Sequence, residues 1–181
     1  MTIQRTCASL CIVLVVALQF ARADQPATKP TEPVDFRKLK EALPAELLGI
    51  KRTDASGEKN AMGNVKMSHA HGAYVKDADK EGAPRIEVDI TDYAATQGMT
   101  EAMAAWSKME IDRESDTGYE KTTKVGDYPA LETYQNDGKS GQLQVFVADR
   151  FIVQVTTTNV PADQLKKIGE ELKLAKLAES K

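Results

Sequence analysis

The only two histidines of the chain, His69 and His71, stand two residues apart, and Met67 precedes them at the same interval. Side chains at positions i, i+2 and i+4 of a β-strand point to one face, so a thioether and two imidazoles would project together. Sulfur and imidazole ligands suit copper, and imidazole also suits zinc. No carboxylate is evident in the sequence as a partner that would orient the rings. We therefore expect either a copper or zinc site at Met67, His69 and His71 or partly buried histidines with ordinary hydrogen bonds.

The residue pattern does not indicate nucleophilic or acid–base catalysis. No serine stands in a Gly-x-Ser-x-Gly elbow or beside an evident histidine partner. Carboxylates are numerous enough to form an acid–base pair, but their positions are typical of solvent faces and loop ends; they include Asp89, Asp92, Asp112 and Glu132. The sequence favours a protein that is not an enzyme and holds no cofactor, with a small carboxylate-dependent hydrolase as the catalytic alternative.

Two residues beside short turns could contact a ligand. Tyr128 follows Gly126 and Asp127, and Arg150 follows Asp149. We expect both side chains at the ends of strands, where loops carry binding function more often than the strands themselves do. A groove at that place would make Tyr128 and Arg150 ligand contacts.

The first 23 residues are typical of a cleaved secretory signal. They contain Arg5, an apolar run at 10–20, and the small residues Ala21 and Ala23. The run is too short to cross a hydrocarbon core of about 30 Å. We expect cleavage between Ala23 and Asp24, an exported protein in the periplasm or the medium, and no transmembrane segment in the mature chain.

Cleavage would change both the cysteine content and the charge. Cys7 and Cys11 would be removed, so the mature chain could form no disulfide. Arg5 and Arg22 would also be removed from a net charge of −3, which leaves −5. An acidic chain argues against nucleic acid as a partner. We expect an unknown protein or small molecule as the partner. We also expect a bacterial source, because the chain lacks an Asn-x-Ser/Thr acceptor for N-glycosylation.

The mature chain divides into a spacer and one domain. Residues 24–33 contain three prolines and are typical of a flexible spacer. Residues 34–181 suffice for a single core. Helices are predicted at 36–43, 100–111 and 161–175. Strands are predicted at 50–54, 64–76, 85–93, 119–125, 130–135, 141–148 and 151–158, with a turn at Ser56 and Gly57.

The short connections between these strands predict antiparallel neighbours. The expected fold is therefore α+β, with an antiparallel sheet of about six or seven strands covered by two or three helices in the order α-βββ-α-ββββ-α. The tightest hairpin should place Leu143, Val145 and Val147 opposite Phe151, Val153 and Val155. One face of the strand at 85–93 should be buried through Ile86, Val88 and Ile90.

Two helices carry apolar stripes. The stripe of the middle helix consists of Met99, Met103, Trp106 and Met109, and we expect it to pack on the sheet, with a sulfur-rich binding surface as the alternative. The closing helix should bury Leu165, Ile168, Leu172 and Ala175. The sequence as a whole favours an exported, soluble, non-enzymatic binding or accessory module of the cell envelope.

Overall fold

The computed structural model describes residues 32–62, 65–93 and 98–180. The helices in these ranges are α1 (Phe36–Ala42), α2 (Met99–Trp106), α3 (Asp163–Glu171) and α4 (Leu174–Glu179), with a 3₁₀ turn at Asp137–Lys139. The strands are β1 (Glu46–Leu47), β2 (Ile50–Met62), β3 (Val65–Val75), β4 (Arg85–Asp92), β5 (Asp112–Ser115), β6 (Gly118–Val125), β7 (Tyr128–Gln135), β8 (Ser140–Val147) and β9 (Phe151–Thr158).

The nine strands form one antiparallel sheet in the order β1-β2-β3-β4-β9-β8-β7-β6-β5. Two meanders, β1 to β4 and β5 to β9, meet where β4 pairs with β9, and Val88 there stands opposite Val155. Both residues are fully buried, and the residues two positions away on each strand, Ile86, Ile90, Val153 and Thr157, are buried as well. The centre of the core therefore lies at the seam between the two halves of the chain.

Three helices cover one face of the sheet, which we call the inner face. A Cβ atom added to Gly57 of β2 would lie 2.9 Å from the Phe36 ring of α1. A Cβ atom on Gly141 of β8 would lie 2.7 Å from Leu165 of α3. Small residues thus let the helices approach the strands closely. Helix α4 adds the buried Leu177 to the same core.

Helix α2 packs on the opposite face, which we call the outer face. The Trp106 ring lies 4.1 Å from the Phe146 ring, centroid to centroid. Phe146 alternates along β8 with Val145 and Val147, which point inward. Met103 of the same helix is buried. The predicted packing of this apolar stripe on the sheet is therefore confirmed for Met103 and Trp106, whereas Met109 lies beyond the helix and is half exposed.

The antiparallel sheet with helices agrees with the sequence prediction, but the count of strands was wrong. The described residues contain nine strands rather than six or seven. Short edge strands β1 and β5 were missed, because β5 is exposed along its whole length and shows no apolar alternation. No turn occurs at Ser56 and Gly57; β2 continues to Met62, since Gly57 serves close packing against α1.

The helices also differ from prediction in number and length. The described residues contain four helices rather than two or three, because the closing helix breaks at Leu172, whose backbone is extended. The break turns Leu174 and Leu177 of α4 inward and leaves Ala175 exposed, so the predicted burial of Ala175 was wrong. Leu165, Ile168 and Leu172 are buried as predicted.

The predicted core of the central strands is confirmed. Ile86, Val88 and Ile90 are buried on one face of β4. The β8–β9 register pairs Leu143 with Val155, Val145 with Val153 and Val147 with Phe151. None of the helices in the described ranges is long and apolar enough to span a membrane. The predicted signal and most of the predicted spacer lie outside the described residues.

Tyr74 links β3 to the segment after α1, since its hydroxyl donates a hydrogen bond to the Pro44 carbonyl at 2.8 Å. Burial raises the pKa of Tyr74 from 10.0 to about 12. The folded protein holds this proton to a higher pH than the unfolded chain does. The protonated Tyr74 therefore contributes fully to the free energy of unfolding below pH 10. This free energy should fall by roughly 2–3 kcal/mol as the pH rises toward 12.

Urea unfolding at a series of alkaline pH values would measure this loss. The variant Tyr74→Phe should be less stable at neutral pH, because Pro44 loses a donor, but should show a shallower alkaline decline. An equally steep decline in the variant would show that Tyr74 is not responsible.

Candidate functional site

The two histidines lie on the outer face of β3. The inner face of this strand carries Ser68, Ala70 and Gly72, whose small side chains allow α1 to pack closely. Alternation along the strand then turns His69 and His71 to the other side. Their side chains are 30% and 29% exposed, so each ring is partly shielded and still reachable from solvent.

One carboxylate oxygen joins the two rings. Oδ1 of Asp89 lies 2.9 Å from Nε2 of His69 and 3.0 Å from Nδ1 of His71. Asp89 is on β4, directly opposite His71 in the sheet register, while His69 stands opposite Thr91. We call His69, His71 and Asp89 the histidine cluster. The predicted ordinary hydrogen bonds of the histidines therefore take the form of a shared carboxylate that the sequence had not revealed.

This shared partner fixes the roles of the ring nitrogens. An ionised carboxylate can only accept hydrogen bonds, so Nε2 of His69 and Nδ1 of His71 carry the protons. In the neutral rings, Nδ1 of His69 and Nε2 of His71 are then acceptors with a free lone pair. No residue in the described part of the chain hydrogen-bonds to either of these two nitrogens. The histidine cluster thus offers two oriented acceptors.

The cross-strand neighbours of the histidine cluster add further acceptors. Glu58 stands opposite His69, and Ser56 stands opposite His71 on β2. Gln154 stands opposite Asp89 on β9. None of these directly paired neighbours is basic. A ligand that donates hydrogen bonds or carries positive charge would therefore meet a complementary surface.

Met67 shares the outer face of β3 with the two histidines, as predicted, and is partly buried. Within the described ranges, no group of three or more His, Cys, Asp or Glu side chains is arranged to hold a metal ion. A metal at this place would rely on the two free imidazole nitrogens and the Met67 sulfur. Asp89 would then be the orienting carboxylate that metal-bound histidines usually have.

Arg150 has a structural partner deep in the sheet. Its guanidinium donates to both carboxylate oxygens of Asp92, Nε to Oδ1 at 2.9 Å and Nη2 to Oδ2 at 2.8 Å. The Asp92 side chain is fully buried, and that of Arg150 is 10% exposed. Asp92 was expected among carboxylates on solvent faces and loop ends; it does stand at the end of β4, but it is buried rather than exposed to solvent. The Asp92–Arg150 pair is a clamp at the end of β4 rather than an open binding group.

The clamp also holds the start of the described chain. The Val34 amide donates to Oδ2 of Asp92 at 2.7 Å, and Nη2 of Arg150 donates to the Glu32 carbonyl at 3.0 Å. Lys66 and Lys59 donate hydrogen bonds to the Glu32 carboxylate and hold its pKa below its ordinary value. Residues 32 and 33, which the sequence assigned to the spacer, thus contact the domain.

Tyr128 begins β7, packs against the core and is partly buried. Four clefts in the described part of the chain are lined by residues other than Tyr128 and Arg150. Both residues stand at strand ends as predicted, Tyr128 at the start of β7 and Arg150 directly before β9, and their role as ligand contacts stays a prediction.

Glu132 lies in a different environment from the one that the sequence predicted. This residue points to the inner face of β7 and is only 6% exposed, so the expectation of a solvent face was wrong. Its Oε1 accepts a hydrogen bond from the Tyr119 hydroxyl at 2.5 Å and lies 3.4 Å from Nζ of Lys121. Burial and the neighbouring Glu132 raise the pKa of Tyr119 well above its ordinary value. The only hint in the sequence was the alternation of Ala130, Glu132 and Tyr134.

No protein-family model, no curated protein and no solved structure matches this chain.

Proposed function

We propose that this protein is an exported, non-enzymatic binding module of the cell envelope, and that the histidine cluster is the centre of its binding surface. The observation that carries the proposal is the single Asp89 oxygen shared by His69 and His71. The two rings lie on the same partly exposed face of β3, and each keeps one nitrogen that does not contact Asp89. Groups fixed before a ligand arrives cost less conformational entropy on binding.

The neighbouring residues indicate the chemistry of the ligand. Glu58 and Gln154 surround the histidine cluster with further acceptors, and the paired positions carry no base. A ligand with several hydrogen-bond donors or a positive charge is favoured over an anion. The acidic charge of the mature chain supports the same choice.

A second candidate function is the binding of copper or zinc by His69, His71 and Met67. The observation in its favour is again Asp89, because histidine ligands of metals usually donate their other N–H to a carboxylate. Thioether and imidazole donors suit copper in particular. The two candidates share a place on the surface and differ in the ligand. A carboxylate-dependent hydrolase ranks third, since the buried carboxylates Asp92 and Glu132 already pair with Arg150 and Tyr119.

NMR titration of the histidine ring signals tests both candidates. The probes are spermidine as an organic cation and Zn(II), Cu(II) and Cu(I) as metal ions. We expect saturable shifts of both rings with at least one probe. Isothermal titration calorimetry, which needs no ring signal, should show loss of binding in the double variant His69→Ala/His71→Ala. The variant Asp89→Asn should weaken binding by about 10–100-fold, because its amide oxygen can still accept from the rings but lacks the negative charge that holds them.

The variant Thr156→Ala, on the same face of β9, is the matched control and should bind as the unchanged protein does. Saturation by a metal ion together with weaker binding in Met67→Leu would favour the metal candidate. Ring signals that respond to none of the probes, or binding that persists in the double histidine variant, would remove the histidine cluster as the binding centre.

A further inference from the structure

A cleft on the inner face lies between strands β6 and β7 and helix α3, on the opposite side of the sheet from the histidine cluster. Its volume is about 580 Å³, within the usual range of small-molecule sites. Val125 and Leu143 contribute apolar wall, while Lys166 and Glu170 of α3 stand at the rim. The cleft is large enough for a ligand of one or two sugar rings.

Glu132 lines the floor of this cleft. Oε1 of Glu132 is engaged by Tyr119 and approached by Lys121. Oε2 of Glu132 receives no hydrogen bond from any residue within the described ranges, and the side chain borders the open volume. A ligand that enters the cleft therefore meets one free carboxylate oxygen in a shielded position. Such an acceptor gains more from a hydrogen bond than one in open water does.

Neighbouring side chains hold this carboxylate in place. The Tyr119 ring stacks on Tyr134 with 5.9 Å between centroids. Nζ of Lys121 lies 4.6 Å from the centroid of the Tyr119 ring. These contacts order the hydroxyl that donates to Glu132 and the ammonium beside it. The polar groups of the floor are thus positioned before any ligand binds.

The charges around the cleft balance. Three cations face three anions, namely Lys121, Lys124 and Lys166 against Glu132, Asp163 and Glu170. A ligand with a net charge would gain little net attraction from such a lining. Hydroxyl groups both donate and accept hydrogen bonds, so they can satisfy carboxylates and ammonium groups alike.

We propose that this cleft binds a neutral polyhydroxylated ligand, a mono- or disaccharide, whose hydroxyls donate to Oε2 of Glu132 and accept from the ammonium groups of Lys121 and Lys166. The aliphatic side chain of Val125, which keeps a small exposed fraction, contacts an apolar part of the sugar. This site is separate from the histidine cluster, and its test does not depend on the function proposed for the outer face.

The test is a ¹H–¹⁵N NMR titration of the purified protein with glucose, N-acetylglucosamine, maltose and N,N′-diacetylchitobiose. At least one sugar should produce saturable shifts at the amides of Tyr119, Lys121 and Glu132. The variant Glu132→Gln should lower affinity roughly tenfold, because its carbonyl can serve Tyr119 while an NH₂ donor replaces the free acceptor.

A second variant keeps the Glu132–Tyr119 pair intact. Thr123→Phe places a ring in the cleft from β6 and should abolish the shifts, whereas Thr133→Phe makes the same change on the outer face of β7 and should preserve them. The proposal is overturned by the absence of saturable shifts with every sugar, by shifts that lie outside the cleft, by unchanged binding in Thr123→Phe, or by tighter binding of phosphate or spermidine at the cleft.

Discussion

Replacing Arg150 with alanine is expected to lower the free energy of unfolding by about 3–5 kcal/mol, because it leaves a charged partner buried without its counterion. Asp92 is fully buried, and both of its carboxylate oxygens accept from Arg150. Urea unfolding monitored by circular dichroism measures the loss. Amide hydrogen exchange gives a local readout, since the Val34 amide that donates to Asp92 should exchange faster in Arg150→Ala.

A surface ion pair provides the matched control. Arg113 donates to Glu120 at 2.9 Å, but its side chain is 74% exposed. Arg113→Ala should therefore cost at most about 1 kcal/mol. The double variant Asp92→Leu/Arg150→Met, which removes both charges, should recover part of the stability lost in Arg150→Ala. A loss in Arg150→Ala no larger than that in Arg113→Ala would contradict the role given to the clamp.

Truncation of Phe151 to alanine is expected to cost about 3–5 kcal/mol, through lost burial and the cavity that remains. Phe151 is fully buried at the start of β9 and stands opposite Val147 of β8 and Asp92 of β4. The loss should appear as a lower urea midpoint with an unchanged dependence on urea concentration.

The comparator Phe151→Leu keeps an apolar side chain of intermediate volume and should cost only about 1–2 kcal/mol. Equal losses in the two variants would indicate that the aromatic ring, rather than the filled volume, matters at this position. The guanidinium of Arg150 lies 5.3 Å from the Phe151 ring, so the Arg150→Ala and Phe151→Ala effects should not add.

The central strands could be predicted from the sequence because their signals are local. Ile86, Val88 and Ile90 alternate with polar residues, and the short turn after Val147 allows a single register for β8 and β9. The turn predicted at Ser56 and Gly57 was wrong, because a glycine is found both in turns and where another element packs closely on a strand. Edge strand β5 carries no apolar pattern, because both of its faces are exposed to solvent. It is held by hydrogen bonds to β6 on one side.

The candidate site was predicted only in part. Met67, His69 and His71 do share a face, as strand periodicity requires. Asp89 was missed as their partner, although His71 and Asp89 stand equally far from Lys80 in the turn between β3 and β4. A hairpin register centred on that turn would have paired them. Asp92 and Glu132 fall on the inward phase of their strands, but the sequence did not reveal their partners, because a buried carboxylate needs a cation or a hydroxyl from another element.

The sequence by itself determined the fold class, the alternating faces of the central strands and the apolar core. In a strand with one buried face, every second residue is apolar, and this pattern is visible in a few neighbouring residues. Only the tertiary structure decided which face the helices cover and which charges are paired. The small residues Ala70 and Gly72 allow the α1 segment to pack on one face of β3. The histidines therefore lie on the opposite face. Asp92 and Arg150 meet across 58 residues, a pairing that depends on strand order and not on local pattern.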